Sequence, residues 1–221
     1  MVRSLLHWMK AHPYSYAMFY LVIYVLVFFT LELAVEPKYL VHCPLDDAIP
    51  FCQWFVPFYI SWLPAFPGSL IFFLLFDKTD FQNLCFVMMN GATFCFLCYI
   101  LWPTMLDLRI PVEDGNFLAQ IMQLLWAIDT PTNVCPSLHV SVSTAIALTV
   151  LKSKKMKGRH PVGRWLLALW MVLICISTVF VKQHSVIDVL CGASVTAGFG
   201  LIAYQTDWKK LVRKTIFRYM L

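Results

Sequence analysis

Six stretches of the chain are apolar for long enough to cross a bilayer, and this limits the fold more than any other feature. A spanning helix needs about 20 mostly apolar residues; the candidates run over about 14–35, 54–76, 84–105, 136–151, 165–181 and 185–204. Within hydrocarbon each backbone N–H and C=O must be satisfied inside the protein, so segments of this kind are helices. The pattern predicts an all-α integral membrane protein, a bundle of six transmembrane helices. Only 13% of the 221 residues are charged, against roughly a quarter in soluble domains, and mean hydropathy is +0.72. That balance excludes a cytosolic enzyme, a disordered chain and a secreted disulfide scaffold. The length suits one domain, 1–221.

The first stretch is too long for the apolar part of a signal peptide and reads as a retained anchor. Pro57, Pro64 and Pro67 predict a kink in the second. The fourth is short and opens at Pro136, where a first-turn proline sacrifices no helical bond. With six spans both termini share a side, and that side holds fourteen of the 17 Lys and Arg residues; the other holds Lys38, Arg109 and Lys182. The positive-inside rule then places both termini in the cytoplasm. The basic stretches also suit anionic membrane lipids. Because the net charge of +5 sits where orientation demands it, no nucleic-acid partner is expected.

The eight cysteines divide by depth. Cys85, Cys95, Cys98, Cys175 and Cys191 fall inside spans, where cysteine is an ordinary small apolar residue. Cys43 and Cys52 share the first outer loop and suit a disulfide if that compartment is oxidising. No Cys-x-x-Cys has the companions of a structural zinc site.

Ionisable groups at membrane depth are expensive, and here they gather on the outer side. Arg109 follows the third span, Lys182 lies in the turn between the fifth and sixth, and His139 and His184 open the fourth and sixth. Asp188 is one helical turn beyond His184, on the same face. A carboxylate that accepts one ring N–H fixes the tautomer of a histidine and frees its other nitrogen as nucleophile or base. His139 can then serve the leaving group. The helix start at Pro136-Ser137 favours an anion, with the Ser137 hydroxyl as a further donor, and Arg109 and Lys182 can clamp phosphate oxygens. This set describes phosphoryl transfer through a histidine intermediate, with no metal and no cofactor.

These residues also carry a family resemblance. Cys135-Pro136-Ser137-Leu138-His139 resembles the PSGH motif of the type 2 phosphatidic acid phosphatase (PAP2) superfamily. Ser177-Thr178, five residues, His184, three residues and Asp188 match the spacing of its SR-x5-H-x3-D motif, and Arg109-Ile110-Pro111 resembles the Arg-Pro end of its first motif. The resemblance covers about 103–192 and implies the six-helix family fold. It further implies that His184 attacks phosphorus, that His139 protonates the leaving group and that Asp188 orients His184. Three positions depart from the pattern. Leu138 replaces the glycine, as in the branch similar to inositol phosphorylceramide synthases and many bacterial homologues. Thr178 replaces the arginine, whose charge Lys182 can supply. Trp102 stands where the first motif has its lysine.

Other readings compete for the same atoms. His139, His184 and Asp188 could ligate zinc, although Arg109 and Lys182 would repel the ion. Ser177 and Thr178 can bond back to helix carbonyls. Glu32 can line the substrate path or be satisfied by a neighbouring tyrosine or tryptophan; Asp129 and Asn133 suit turns or caps. Asp107, Glu113 and Asp114 make the outer loop acidic, and Phe117, Ile121, Leu124, Leu125 and Ile128 recur at helical spacing, predicting an interfacial helix that walls the phosphate site or packs on the bundle.

Three functions fit this pattern: a membrane lipid phosphatase taking a lipid phosphate or diphosphate outside the cytoplasm, a lipid phosphotransferase passing the headgroup to an alcohol, and a non-enzymatic transporter-like protein. A transporter places its polar groups at the midplane on broken helices, whereas these cluster at one surface.

Overall fold

Each apolar run becomes a helix, and the polar residues between the runs stop and start those helices. In the computed structural model, which describes residues 2–110 and 117–215, the elements in chain order are α1 (Val2–Ala11), α2 (Phe19–Ala34), β1 (Tyr39–Leu40), α3 (Pro44–Ala48), α4 (Val56–Phe76), α5 (Lys78–Leu101), β2 (Thr104–Met105), α6 (Phe117–Ile128), α7 (Leu138–Lys152), α8 (Lys154–Arg159), α9 (Pro161–Phe180), α10 (Val186–Gln205) and α11 (Trp208–Val212). A 3₁₀ turn, Pro13–Met18, leads into α2. Pro111, Glu113 and Asp114 lie outside the described residues.

Among the described residues five helices are long and apolar enough to span a membrane: Pro13–Ala34, Gln53–Phe76, Lys78–Leu101, Pro161–Phe180 and Val186–Gln205. The fourth apolar stretch forms α7, which at 15 residues is shorter than a span of ordinary length. The third helix also starts earlier than its apolar pattern. Asp77 caps it, accepting from the backbone N–H groups of Thr79 and Asp80, and so recruits the polar first turn. It ends at Leu101 because Pro103 follows, and residues 104–105 instead pair in parallel with 39–40. In the second helix Pro64 and Pro67 are accommodated without a break from Val56 to Phe76.

α5 and α7 form the centre, with α4, α9 and α10 around them and α2 on α5. Phe81, Leu84, Val87 and Tyr99 of α5 and Val142, Ile146 and Val150 of α7 are buried, while Val22, Leu26, Phe29 and Leu33 of α2 point outward as lipid-facing side chains do. Lipid tails are as apolar as these residues, so close packing and polar contacts between helices have to hold the bundle. Ser141 and Thr196 supply one such contact, their hydroxyls 2.8 Å apart with Thr196 also donating to the Ser141 carbonyl. Gly91 admits it: a Cβ there would stand 2.9 Å from Ser141 Oγ.

Cross-links sort the helix ends. Lys155 reaches the Phe76 carbonyl, Ser153 bonds Asp80, and Lys209 donates to Gln82. These place the basic loop around α8 beside the α4–α5 turn and the C-terminal α11. At the opposite end Cys52 N donates to the Phe180 carbonyl and Ser137 N to the Asp188 carbonyl, so the loop between α2 and α4, the end of α9 and the starts of α7 and α10 meet. All eight cysteines are free thiols, Cys43 and Cys52 included.

Candidate active site

The start of α7 is held by backbone on both sides. Thr104 Oγ1 accepts from Val134 N and Cys135 N, its carbonyl accepts from Asn133 N, and Tyr99 donates to the Pro136 carbonyl at 2.7 Å. Asn133 takes the left-handed conformation this bend requires (φ 53°). Ser137 caps α7, its hydroxyl accepting from Val140 N. On the other side α10 approaches so closely that a Cβ at Gly192 would lie 2.5 Å from the Ser137 carbonyl oxygen. This close approach brings the two histidine-bearing helix starts together. The rings of His139 and His184 stand edge to face, with centroids 5.6 Å apart.

His184 lies in the turn between α9 and α10, just ahead of the Ser185 cap. Gln183 N and His184 N both donate to the Thr178 carbonyl, and Lys182 makes the corner in a left-handed conformation (φ 58°). Ser185 N donates to Asp188 Oδ2 at 2.9 Å, completing a capping box. The same oxygen is 3.4 Å from His184 Nδ1, within ion-pair reach but looser than a good hydrogen bond. His184 Nδ1 and Asp188 Oδ1 are both buried without a hydrogen-bond partner. Catalytic hydrogen bonds are often long in unliganded sites and tighten in the reacting complex.

His139 is held by rings: Tyr59 stacks on it at 4.8 Å and Trp62 lies 4.3 Å away. Both histidines line a cavity of about 420 Å³. Its far wall is apolar, built by Leu21, Val25 and Phe28 of α2 and by Leu63, Phe66 and Pro67 of α4. Its near end is polar, with Asp129, Asn133, Thr130 and Gln183 beside the histidines. Leu125 and Ile128 bring α6 to this wall, so the amphipathic helix both borders the site and packs on α4: Met122 is buried against the cluster of Val56, Tyr59 and Val181, while Phe117 and Leu124 remain exposed.

The three other candidates from the sequence are placed elsewhere. Lys182, expected at the phosphate, is buried with its ammonium on the Asp46 carbonyl (2.7 Å) and the Ile49 carbonyl; the short helix α3 and the residue that follows it offer these carbonyls close by, and Lys182 is absent from the cavity wall. Arg109 donates to the Trp126 and Asp129 carbonyls and to Gln183 Oε1 (2.7 Å). It ties the end of α6 to the residue before His184 rather than lining the cavity. Ser137 is fully buried as a cap. Among the described residues no Lys or Arg lines the cavity. Ser177 and Thr178 both donate back to carbonyls three residues earlier, and no three His, Cys, Asp or Glu residues among those described are grouped to hold a metal ion.

Three residues carry more than the sequence suggested. Glu32 is satisfied by Thr130 and Thr132 instead of an aromatic donor, linking α2 to the loop before α7. Asp129 is no simple cap: its carboxylate accepts from Tyr59 and from Gln183 Nε2 (3.0 Å). Gln183 thereby joins Arg109, Asp129 and Tyr59 in one network at the roof of the cavity; its place next to His184 was the available signal.

Comparison with known proteins identifies the family and the fold. The profile of the PAP2 superfamily matches residues 87–211, more than half of the chain. Sphingosine-1-phosphate phosphatase 2 from Homo sapiens is 34% identical over 71 residues, covering 31% of this chain and 18% of that protein; the protein of the same name from Mus musculus is 31% identical over 71 residues, covering 31% and 20%. The matched stretch thus spans about a fifth of the length of these relatives. The crystal structure of Aquifex aeolicus LpxE superposes with a TM-score of 0.51 at 21% identity, over 75% of this chain and 88% of that one, a likeness of fold.

Proposed function

Because the chain belongs to the PAP2 superfamily, we propose that it is an integral membrane lipid phosphatase that hydrolyses a lipid phosphate or diphosphate through a phosphohistidine. The single observation that carries this is the edge-to-face pair of His139 and His184 at the polar end of a cavity whose remaining wall is the apolar face of α2 and α4. Such a cavity accepts a phosphate at one end and a hydrocarbon chain at the other. The phosphatase names of the curated relatives support the same reading.

In the proposed reaction His184 Nδ1, facing Asp188, carries the proton, and Nε2 attacks phosphorus. The P–N bond forms as the P–O bond to the lipid breaks, and the leaving oxygen takes a proton from His139. Asp188 stabilises the imidazolium that results. A water molecule, giving its proton to His139, then cleaves the P–N bond and releases inorganic phosphate. The start of α7, with its helix dipole, lies beside the phosphate as it gains charge in this proposal.

The membrane arrangement follows the charge. We read α7 as a short fourth span, which makes six in all, with both termini and the basic α8 loop in the cytoplasm and the histidines on the extracytoplasmic side. A panel of lipid phosphates and diphosphates offered to detergent-purified protein tests the activity. Phosphate release that survives EDTA and is blocked by vanadate supports the proposal. No release from any of them, or activity lost with EDTA and restored by zinc, contradicts it.

A further inference from the structure

We propose that Asp46, in the loop between the first two spans and outside every family motif, is a positioning residue for His184; the inference rests on the reading of His184 as nucleophile. Asp46 is fully buried in a helix of only five residues, Pro44–Ala48. One of its donors is local: Cys43 N donates to Oδ2 at 2.8 Å, closing the first turn of α3. The others come from the catalytic turn, some 140 residues away. Ser185 Oγ donates to Oδ2 at 2.6 Å and Val186 N to Oδ1 at 2.9 Å. Lys182 adds its ammonium to the Asp46 carbonyl. The outer loop therefore grips the chain two residues before His184 and again in the two residues after it.

Ser185 couples this grip to the reacting ring. Its hydroxyl is on Asp46, and its backbone N–H is on the Asp188 oxygen that faces His184 Nδ1. A shift of Ser185 toward or away from Asp46 moves both the His184 backbone and the carboxylate that orients its ring. Burial alone would raise the Asp46 pKa, but hydrogen bonds from Ser185, Val186 and Cys43 outweigh it and hold the carboxyl below its ordinary value. The group acts as an anion beside the α10 N-terminus.

The test compares kcat and KM of Asp46→Asn, Ser185→Ala and Ser185→Thr with wild type and His184→Ala. The probe is whichever of phosphatidic acid, a sphingoid-base phosphate or an isoprenyl diphosphate the wild type hydrolyses fastest. A misplaced reacting group costs up to about 10²-fold, so Asp46→Asn should lower kcat by about that factor. Its KM should stay within about twofold, since ground-state binding of the lipid is untouched. Ser185→Ala, which keeps the carboxylate and its backbone donors, should lose about tenfold in kcat, the worth of one hydrogen bond to a charged group. Ser185→Thr should recover most of that loss, which a general loosening of the fold would not allow. If Asp46→Asn fails to fold, the Ser185 pair decides alone. Wild-type kcat in both Asp46→Asn and Ser185→Ala while His184→Ala is inactive would overturn this inference and leave the phosphohistidine reading standing. Activity in His184→Ala would overturn that reading itself.

Discussion

The two helix starts that carry the histidines are built in opposite ways. His184 sits in a turn fixed by hydrogen bonds: Thr178 holds its backbone, Ser185 and Asp188 close the cap beyond it, and Asp46 grips from outside. His139 is inside the first turn of α7, on a helix docked through backbone contacts, and its ring leans on Tyr59 and Trp62. A nucleophile must meet phosphorus along one line, so it gains from directional bonds. On the proposed mechanism a proton donor to a departing lipid oxygen works beside the apolar wall, and ring packing holds it without competing for its proton. Polar bonds aim one group; packing places the other.

Breaking the polar side should cost most. Asp188→Asn keeps the shape but removes the charge facing His184 Nδ1, and the matching change in a catalytic triad costs about 10⁴-fold in kcat; steady-state assays at saturating lipid measure it. His139→Ala should cost about 10²–10⁴-fold with a lipid substrate, and a phosphate ester with a good leaving group, such as para-nitrophenyl phosphate, should recover part of that loss. The same ester should recover nothing in Asp188→Asn, and this contrast separates the two roles.

Smaller effects sharpen the comparison by acting on the frame. Gly192→Ala forces a methyl against the Ser137 carbonyl. It should destabilise the protein by about 1–3 kcal/mol, read as a lower Tm, and weaken turnover for every substrate because it separates the two helix starts. Lys182→Met leaves the Asp46 and Ile49 carbonyls without their donor. It should lower Tm while leaving KM for the lipid unchanged; a raised KM would show that the ammonium reaches phosphate after all. The smallest effect is in acid. The folded Asp46 carboxyl lies below its ordinary value of 3.8, so its stabilisation is complete above that value and is lost as pH falls through the lower folded one. Asp46→Asn should flatten the acid limb of the Tm–pH profile.

Much of this arrangement was legible in the chain. Continuous apolar runs give helices whatever surrounds them, and the i, i+4 spacing of His184 and Asp188 puts both on one face. The short α7 is visible too, since Pro136 and Lys152 bracket it. What the chain hides is competition for donors. Arg109 and Lys182 carry charge at the histidine end of the bundle, yet nothing local says that the carbonyls of Trp126, Asp129, Asp46 and Ile49 take up their donors. Asp46 and Asp129 are hidden for the same reason: their partners are 139 and 54 to 70 residues away. Glu32 finds its threonines only once the loop before α7 folds back over α2.

The central claim is that one nitrogen of one residue takes the phosphoryl group. Acid-stable amino acids do not report it, because a phosphohistidine survives base and is lost in acid, so the protein is quenched under alkaline conditions during turnover of a lipid phosphate and its peptides are mapped by mass spectrometry. The account expects the phosphoryl group on His184 and nowhere else, absent from His184→Ala, with lipid turnover abolished in that variant. Phosphate on another residue, or a folded His184→Ala protein that turns over lipid phosphate at near the wild-type rate, would contradict it.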